Sequence, residues 1–196
     1  MLFISVLFGL GALVAEKTNL QDWWQPITIT GTSLGVEDFI IGFAIGGVAA
    51  VLYEDVYHRR FAKGRKKMPP TNPGSFLFFL PALYATLFFV FQINSFYSAV
   101  AAYSICTSYM ITTRKELVND SILSGLFMLF VGTVIYFLLF LIRPTFVQDF
   151  WYLPDQWYAS LILGIPVGEY IWFFLTGAYI GPLYEYVKKL RQVQMK

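Results

Sequence analysis

Three carboxylates stand at the starts of two apolar stretches. Glu37 and Asp38 open GVEDFIIGFAIGGVAAVLYE, which begins at Gly35, and Glu169 opens PVGEYIWFFLTGAYIGPLYE, which begins at Pro166. Aromatic residues follow each time: Phe39 and Phe43 in the first stretch, Tyr170, Trp172, Phe173 and Phe174 in the second. Carboxyls beside ring faces can do proton chemistry on carbon, because a neutral carboxyl donates, an ionised one abstracts, and the rings stabilise a cation between the two steps. Cation–π attraction is worth about 2 kcal/mol per ring when desolvated. The same acids have a plainer use, since the helix dipole favours a carboxylate in a first turn and proline suits a first helical position. The aromatics equally suit lipid contact or packing. Both uses stay open on the residues alone.

The elements that position these groups are apolar helices. The chain is 57% hydrophobic, 19% aromatic and 13% charged, about half the charge density of an ordinary soluble domain. At about 20 apolar residues per span, the pattern predicts an all-α integral membrane protein. Its six transmembrane helices fall at Met1–Ala15, Val36–Tyr57, Gly74–Ile93, Ser98–Thr112, Ser121–Ile142 and Pro166–Val187. The first segment lacks a basic n-region and a small-residue cleavage pattern, so it reads as a retained helix and not as a signal peptide.

Basic residues mark one side. Arg59, Arg60, Lys63, Arg65, Lys66 and Lys67 form one group, Arg114 and Lys115 a second, and Lys188, Lys189, Arg191 and Lys196 a third. Alternating six helices puts all three groups on the same face and leaves Lys17 and Arg143 on the other. The positive-inside bias then makes both termini cytoplasmic. The formal net charge of +2 belongs to helix collars and gives no reason to expect nucleic acid. Cys106 is alone, which excludes a disulfide within the chain and a thiolate metal site. With His58 as the single histidine, imidazole metal clusters are excluded; no lysine sits mid-helix for a Schiff base, and no Asp-rich diphosphate motif appears. No cofactor or metal is expected.

The two stretches are copies of one another. An offset of 131 pairs Val36 with Val167, Asp38 with Glu169, Phe39 with Tyr170, Phe43 with Phe174, Gly46 with Gly177, Tyr53-Glu54 with Tyr184-Glu185, and Arg60 with Arg191. Upstream, an offset of 127 lays MLFISVLFGLGALVAEKTNLQDWW over MLFVGTVIYFLLFLIRPTFVQDFW, matching Gln21, Asp22 and Trp24 to Gln148, Asp149 and Trp151. A tandem repeat therefore organises one membrane domain: residues 1–66 as copy one, 67–118 as two central helices, and 119–196 as copy two. The copies run in parallel about an axis normal to the membrane, an arrangement that places a shared site at their interface. Asp38 and Glu169 become quasi-symmetric mates expected to face one another, with Glu37 beside them. Trp24 and Trp151 fall on the outer loops, as an interfacial belt or as part of the site. Met1 aligns with a residue inside the second copy's helix, so the first helix is expected to reach only about 22 Å. That shortfall leaves room for an upstream segment or a partner subunit. At the other helix ends, Glu185 has Lys189 one turn on and Glu54 has basic residues just downstream, which reads as structural ion pairing.

The helix starts, taken with their loops, resemble a known family. WWQPITITGTSLGVEDFIIGF from Trp23 and WYLPDQWYASLILGIPVGEYIWFF from Trp151 each give an outer-loop Trp, a short Gly-containing stretch, and a helix opening on a Pro-x-Glu-Glu-like motif followed by aromatics. This is similar to the lycopene cyclase domain of the heterodimeric bacterial and archaeal and the fused fungal carotenoid cyclases, in which the domain also occurs twice. The resemblance implies a non-redox isomerase: an acid protonates the terminal double bond of an acyclic carotene, the cation closes a ring, and a base removes a proton. The motif's acids fall on Glu37 and Asp38 in copy one and on Glu169 in copy two. Gly35 stands at the first motif's Pro, Asp38 where Glu is usual, and Gly168 at an acid position, which marks a divergent member. The resemblance also implies a carotenoid or other isoprenoid substrate held by Phe39, Phe43, Tyr170, Phe173, Phe174, Trp24 and Trp151. It implies surrounding membrane lipid, a homo- or hetero-oligomer that completes the bundle, and a prokaryotic cytoplasmic membrane.

Two other readings compete with cyclisation. A binding or structural membrane subunit would keep the scaffold without chemistry, consistent with Gly168 and the missing Pro. A small proton-coupled transporter would use paired intramembrane acids as a relay, although Ile40 to Leu52 offers no polar side chain to continue it.

Overall fold

In the computed structural model, residues 2–25, 28–29, 31–32, 35–57, 59–63, 73–188 and 190–194 are described. The fold is helical. The long elements are α1 (Leu2–Asp22), α2 (Val36–Tyr57), α3 (Pro73–Ala85), α4 (Ser95–Thr113), α5 (Val118–Ile142) and α7 (Val167–Lys188), with a short α6 (Phe146–Phe150) between α5 and α7. Among the described residues there are also two small antiparallel ribbons: β1 (Arg59–Lys63) with β4 (Leu190–Gln194), and β2 (Leu161–Ile162) with β3 (Ile165–Pro166). Among the same residues, two helices are by length and composition long and apolar enough to cross a membrane, Leu2–Asp22 and the run Lys115–Ile142.

The first helix differs from its expected length. It runs on through Glu16 to Asp22, 21 residues in all, which is about 31 Å of rise and not the shortened span that the sequence suggested. Nothing from Glu16 to Asp22 breaks a helix, and Glu16 and Thr18 gain buried places there. The aligned point in copy two behaves otherwise, because Pro144 follows Arg143 and holds it extended, at φ −141° and ψ 94°. There α5 stops at Ile142.

In α3, Pro81 withdraws one backbone donor, and the helix passes into a π-helical turn over Thr86–Val90, where the Phe91 N–H reaches the Thr86 carbonyl at 3.2 Å. α4 then begins on Asn94, whose side chain accepts from the Phe96 N–H at 2.9 Å.

Helix α7 is the centre of the bundle and packs against α2, α3, α4 and α5, while α1 lies along α2. Small residues permit this closeness. A Cβ on Gly46 would lie 2.8 Å from the Cβ of Phe8 on α1, and one on Gly177 would lie 2.6 Å from that of Met128 on α5. The core gathers Ile4, Met110, Met128, Tyr136, Phe173, Tyr179 and Leu183.

The two ends of the molecule are each tied by backbone pairing. At one end Trp24 bridges Trp151, the Gln25 N–H donates to the Phe150 carbonyl at 2.7 Å, and the Tyr152 N–H donates to the Trp23 carbonyl at 3.0 Å. At the other, β1 and β4 pair with Phe61 opposite Gln192 and Arg59 opposite Gln194. Near that end Glu185 takes a partner the sequence did not suggest. Arg114 Nη1 donates to its backbone carbonyl at 2.9 Å and Nη2 lies 3.3 Å from Oε1, both side chains being almost wholly buried. Lys189 and the side chain of Glu54 lie outside the described residues, as do His58 and the basic run 64–67.

Candidate functional site

The outer hairpin delivers the second acid. Leu163 and Gly164 form its turn with φ of +53° and +81°, the pair of positive values that a tight two-residue turn requires. The strand returns to Pro166, and Val167 begins α7 with its N–H on the Ser160 carbonyl at 2.9 Å. Glu169 is therefore the third residue of the helix, placed to reach back to the backbone N–H of the residue before it, as a capping-box acid does. Pro166 has no N–H to offer. The carboxylate turns inward instead and is 7% exposed.

Two indole donors meet it there. Trp23 Nε1 donates to Oε1 at 2.8 Å and Trp151 Nε1 approaches the same oxygen at 3.4 Å, while the buried Tyr136 lies close enough for its hydroxyl to interact with the carboxyl. Trp23 is itself fixed, stacked on Phe96 at 5.2 Å with 8° between the planes, and Phe96 stacks on Tyr158 at 4.5 Å. Gly168 makes room for it: a Cβ at that position would overlap the Trp23 ring and come within 3.1 Å of Phe96. An acid at position 168 is excluded by the indole that serves Glu169.

The first motif is arranged differently. Asp38, 5% exposed, accepts the Gly35 N–H on Oδ2 at 2.7 Å and so closes its own helix start. Glu37 is partly exposed and accepts the Ile29 N–H on Oε1 at 2.7 Å, which secures the loop before α2. Asp38 and Glu169, expected to face one another, take different donors: the Gly35 N–H holds the Asp38 side chain and the indoles hold Glu169. The carboxyl close enough for its charge to interact with Asp38 is Glu16 of α1.

The aromatic candidates divide. Trp24 and Trp151 lie with ring centroids 5.1 Å apart, and their N–H groups face carboxylates: Trp24 Nε1 donates to Glu16 Oε2 at 3.1 Å. Phe173 packs edge-on to Tyr136 at 6.3 Å and lies one turn beyond Glu169. Phe39 seats its ring on Gly9 of α1 and Phe174 on Gly125 of α5, while Phe43 lies beside Phe39 at 6.0 Å. Tyr170 donates its hydroxyl to the Ile162 carbonyl at 3.0 Å, bracing the hairpin. Trp24, Trp151 and Phe173 thus belong to the carboxyl centres, whereas Phe39, Phe43, Phe174 and Tyr170 hold elements together.

Glu16, Trp23 and Tyr136 were not singled out from the sequence. Trp23 sits in the quoted loop, but Tyr136 aligns with Gly9 and Glu16 with Arg143, so a search for matched residues passes over both. The repeated Asp of the outer loops ties structure: Asp22 accepts the Ser95 N–H at 2.8 Å and the Ser95 hydroxyl, capping α4, and Asp149 accepts from Arg143 Nε and the Thr145 hydroxyl, each at 2.7 Å. An open cleft of ≈ 570 Å³ is lined by Gln21, Asp22, Asn94, Tyr152 and Tyr158 among others, and Glu16, Asp38 and Glu169 do not border it.

A carboxyl buried under indole donors can hold a proton in apolar surroundings. The family model described as lycopene cyclase matches residues 94–187, which include Glu169, Tyr136 and Trp151. Over those residues, just under half of the chain, the sequence is similar to the lycopene cyclase family. No curated protein and no solved structure matches the chain.

Proposed function

We propose that this protein is a lycopene-cyclase-like isomerase of the membrane, closing a ring at the end of an acyclic carotenoid or related isoprenoid. The observation that carries the reading is Glu169, buried in the matched segment and met by Trp23, Trp151 and Tyr136. In the proposed reaction a carboxyl proton adds to the terminal C=C and leaves a tertiary cation. The neighbouring C=C attacks it, forming the ring C–C bond, and a carboxylate removes a proton beside the new cation to restore a double bond. Atoms and electrons balance without an oxidant, so the cycle calls for no cofactor. Donors around Glu169 stabilise its charge whenever its proton is on the substrate. Trp and Phe173 faces nearby suit the cation.

The six-span, duplicated bundle is part of the same proposal. It is supported by the way aligned residues meet: Gln25 to Phe150 and Tyr152 to Trp23 exchange under the offset of 127, and Phe61 opposite Gln192 is the self-pair of the offset of 131. Contacts of that kind arise on a two-fold axis, here one passing between Trp24 and Trp151 at one end and through the β1–β4 ribbon at the other. With the basic collars inside, both termini and the ribbon lie at the cytoplasmic face.

The test is pigment analysis by chromatography and mass spectrometry in lycopene-accumulating cells expressing this chain. Ring-bearing carotenes are expected, falling at least about 100-fold in Glu169→Gln, the scale of a lost general acid or base. A second reading has its own support, since Gly35 ties up Asp38 and Trp23 fills the space at Gly168: the chain binds a carotenoid without converting it. Lycopene that copurifies unchanged with the inserted protein would favour that reading over cyclisation.

A further inference from the structure

Glu16 is a buried carboxyl that neither motif contains. It is 4% exposed, and Trp24 Nε1 donates to Oε2 at 3.1 Å. Its other oxygen, Oε1, is buried without a hydrogen-bond partner among the described residues. A buried acceptor left empty calls for an explanation, and structural anchoring of Trp24 accounts for one oxygen only.

Its position relative to Glu169 supplies one. Trp24 stands with its ring 5.1 Å from that of Trp151, and Trp151 turns its N–H to Glu169. The sequence of groups is Glu16, Trp24, Trp151, Glu169: two carboxyls, each on an indole N–H, on either side of an indole pair. We propose that Glu16 is the second proton-exchanging carboxyl of the site, acting opposite Glu169 across the Trp24–Trp151 pair, in the place the sequence assigned to Asp38. The inference rests on the cyclase reading. One of the two carboxyls gives its proton to the terminal C=C, the other takes the proton that leaves the ring carbon, and the indole pair between them faces the cation.

The local sequence explains how copy one acquired this group. Lys17 stands where copy two has Pro144, so α1 continues and carries Glu16 inside, whereas Arg143 is turned out to Asp149 and over the Phe150 ring at 4.6 Å. Asp38 remains beside Glu16 but is engaged by Gly35.

The test compares wild type, Glu169→Gln, Glu16→Gln and Glu16→Asp in lycopene-accumulating cells, with membrane insertion and thermal melting checked for each. Cyclisation should fall at least about 100-fold in Glu16→Gln and return in part with Glu16→Asp, which keeps the acid. Wild-type ring formation in Glu16→Gln beside a dead Glu169→Gln would overturn the inference and leave the cyclase reading standing. If wild type forms no ring, the cyclase reading fails, and infrared spectroscopy of the purified protein still decides the role of Glu16. A deuterium-sensitive carboxylic-acid C=O band lost in Glu16→Gln supports a proton-carrying group, and an unchanged spectrum refutes it.

Discussion

The starts of α2 and α7 are aligned residue for residue, yet the acid at their third position does opposite things. In α2 the residue before the helix is Gly35, whose N–H takes Asp38. In α7 it is Pro166, which has no N–H, and Glu169 is released to the indoles and the phenol of the interior. One backbone hydrogen decides whether the side chain is a cap or a candidate catalyst. A second pair, Lys17 against Pro144, repeats the lesson on the preceding helices, where a proline again sets whether a side chain stays in the helix and the interior or leaves both. Motif identity records which residue is present; the competing donor nearby determines what it can do.

The comparison breaks most easily at the glycine that admits Trp23. In Gly168→Ala the added methyl meets the indole, and overpacking of this kind costs about 1–3 kcal/mol. A lowered melting temperature, with loss of Trp23 fluorescence sensitivity to Glu169→Gln, is the expected result; a variant as stable as wild type would mean that Trp23 is not seated there.

A smaller effect should follow from giving α7 the donor that α2 has. Pro166→Gly supplies an N–H able to compete for Glu169, and a cap is worth about 1 kcal/mol, so ring formation should drop roughly fivefold. Unchanged turnover would show that the proline does not keep Glu169 free.

The smallest effect belongs to the outer clasp. The Thr145 hydroxyl, and then Arg143, hold the Asp149 carboxyl below the usual carboxylate range. A depressed acid stabilises the fold above its unfolded pKa and loses that contribution as pH falls through the folded value. Melting of the detergent-solubilised protein should therefore show a slight acid-side decline that is absent in Asp149→Asn. Because the pair is solvent-facing, the decline should shrink with added salt.

Much of the architecture was legible in residue patterns. Long apolar runs located the helices, and α2 begins and ends where the pattern put it. The end of α1 was misplaced because the apolar run stops at Ala15, although none of the polar residues that follow breaks a helix. Of the site, Glu169 and Trp151 were recognisable through their matches in the other copy. Glu16 and Tyr136 were not, since each aligns with a residue of different chemistry.

Composition and repetition by themselves determined an all-helical chain, its doubled helix starts and the acids they carry, because helix length and hydrophobic periodicity are local properties. Only the tertiary structure decided which acid is spent on a backbone N–H and which is left among indoles. That choice depends on donors brought together from α1, α5, α7 and the outer loops, whose separation along the chain hides their nearness until the bundle is packed.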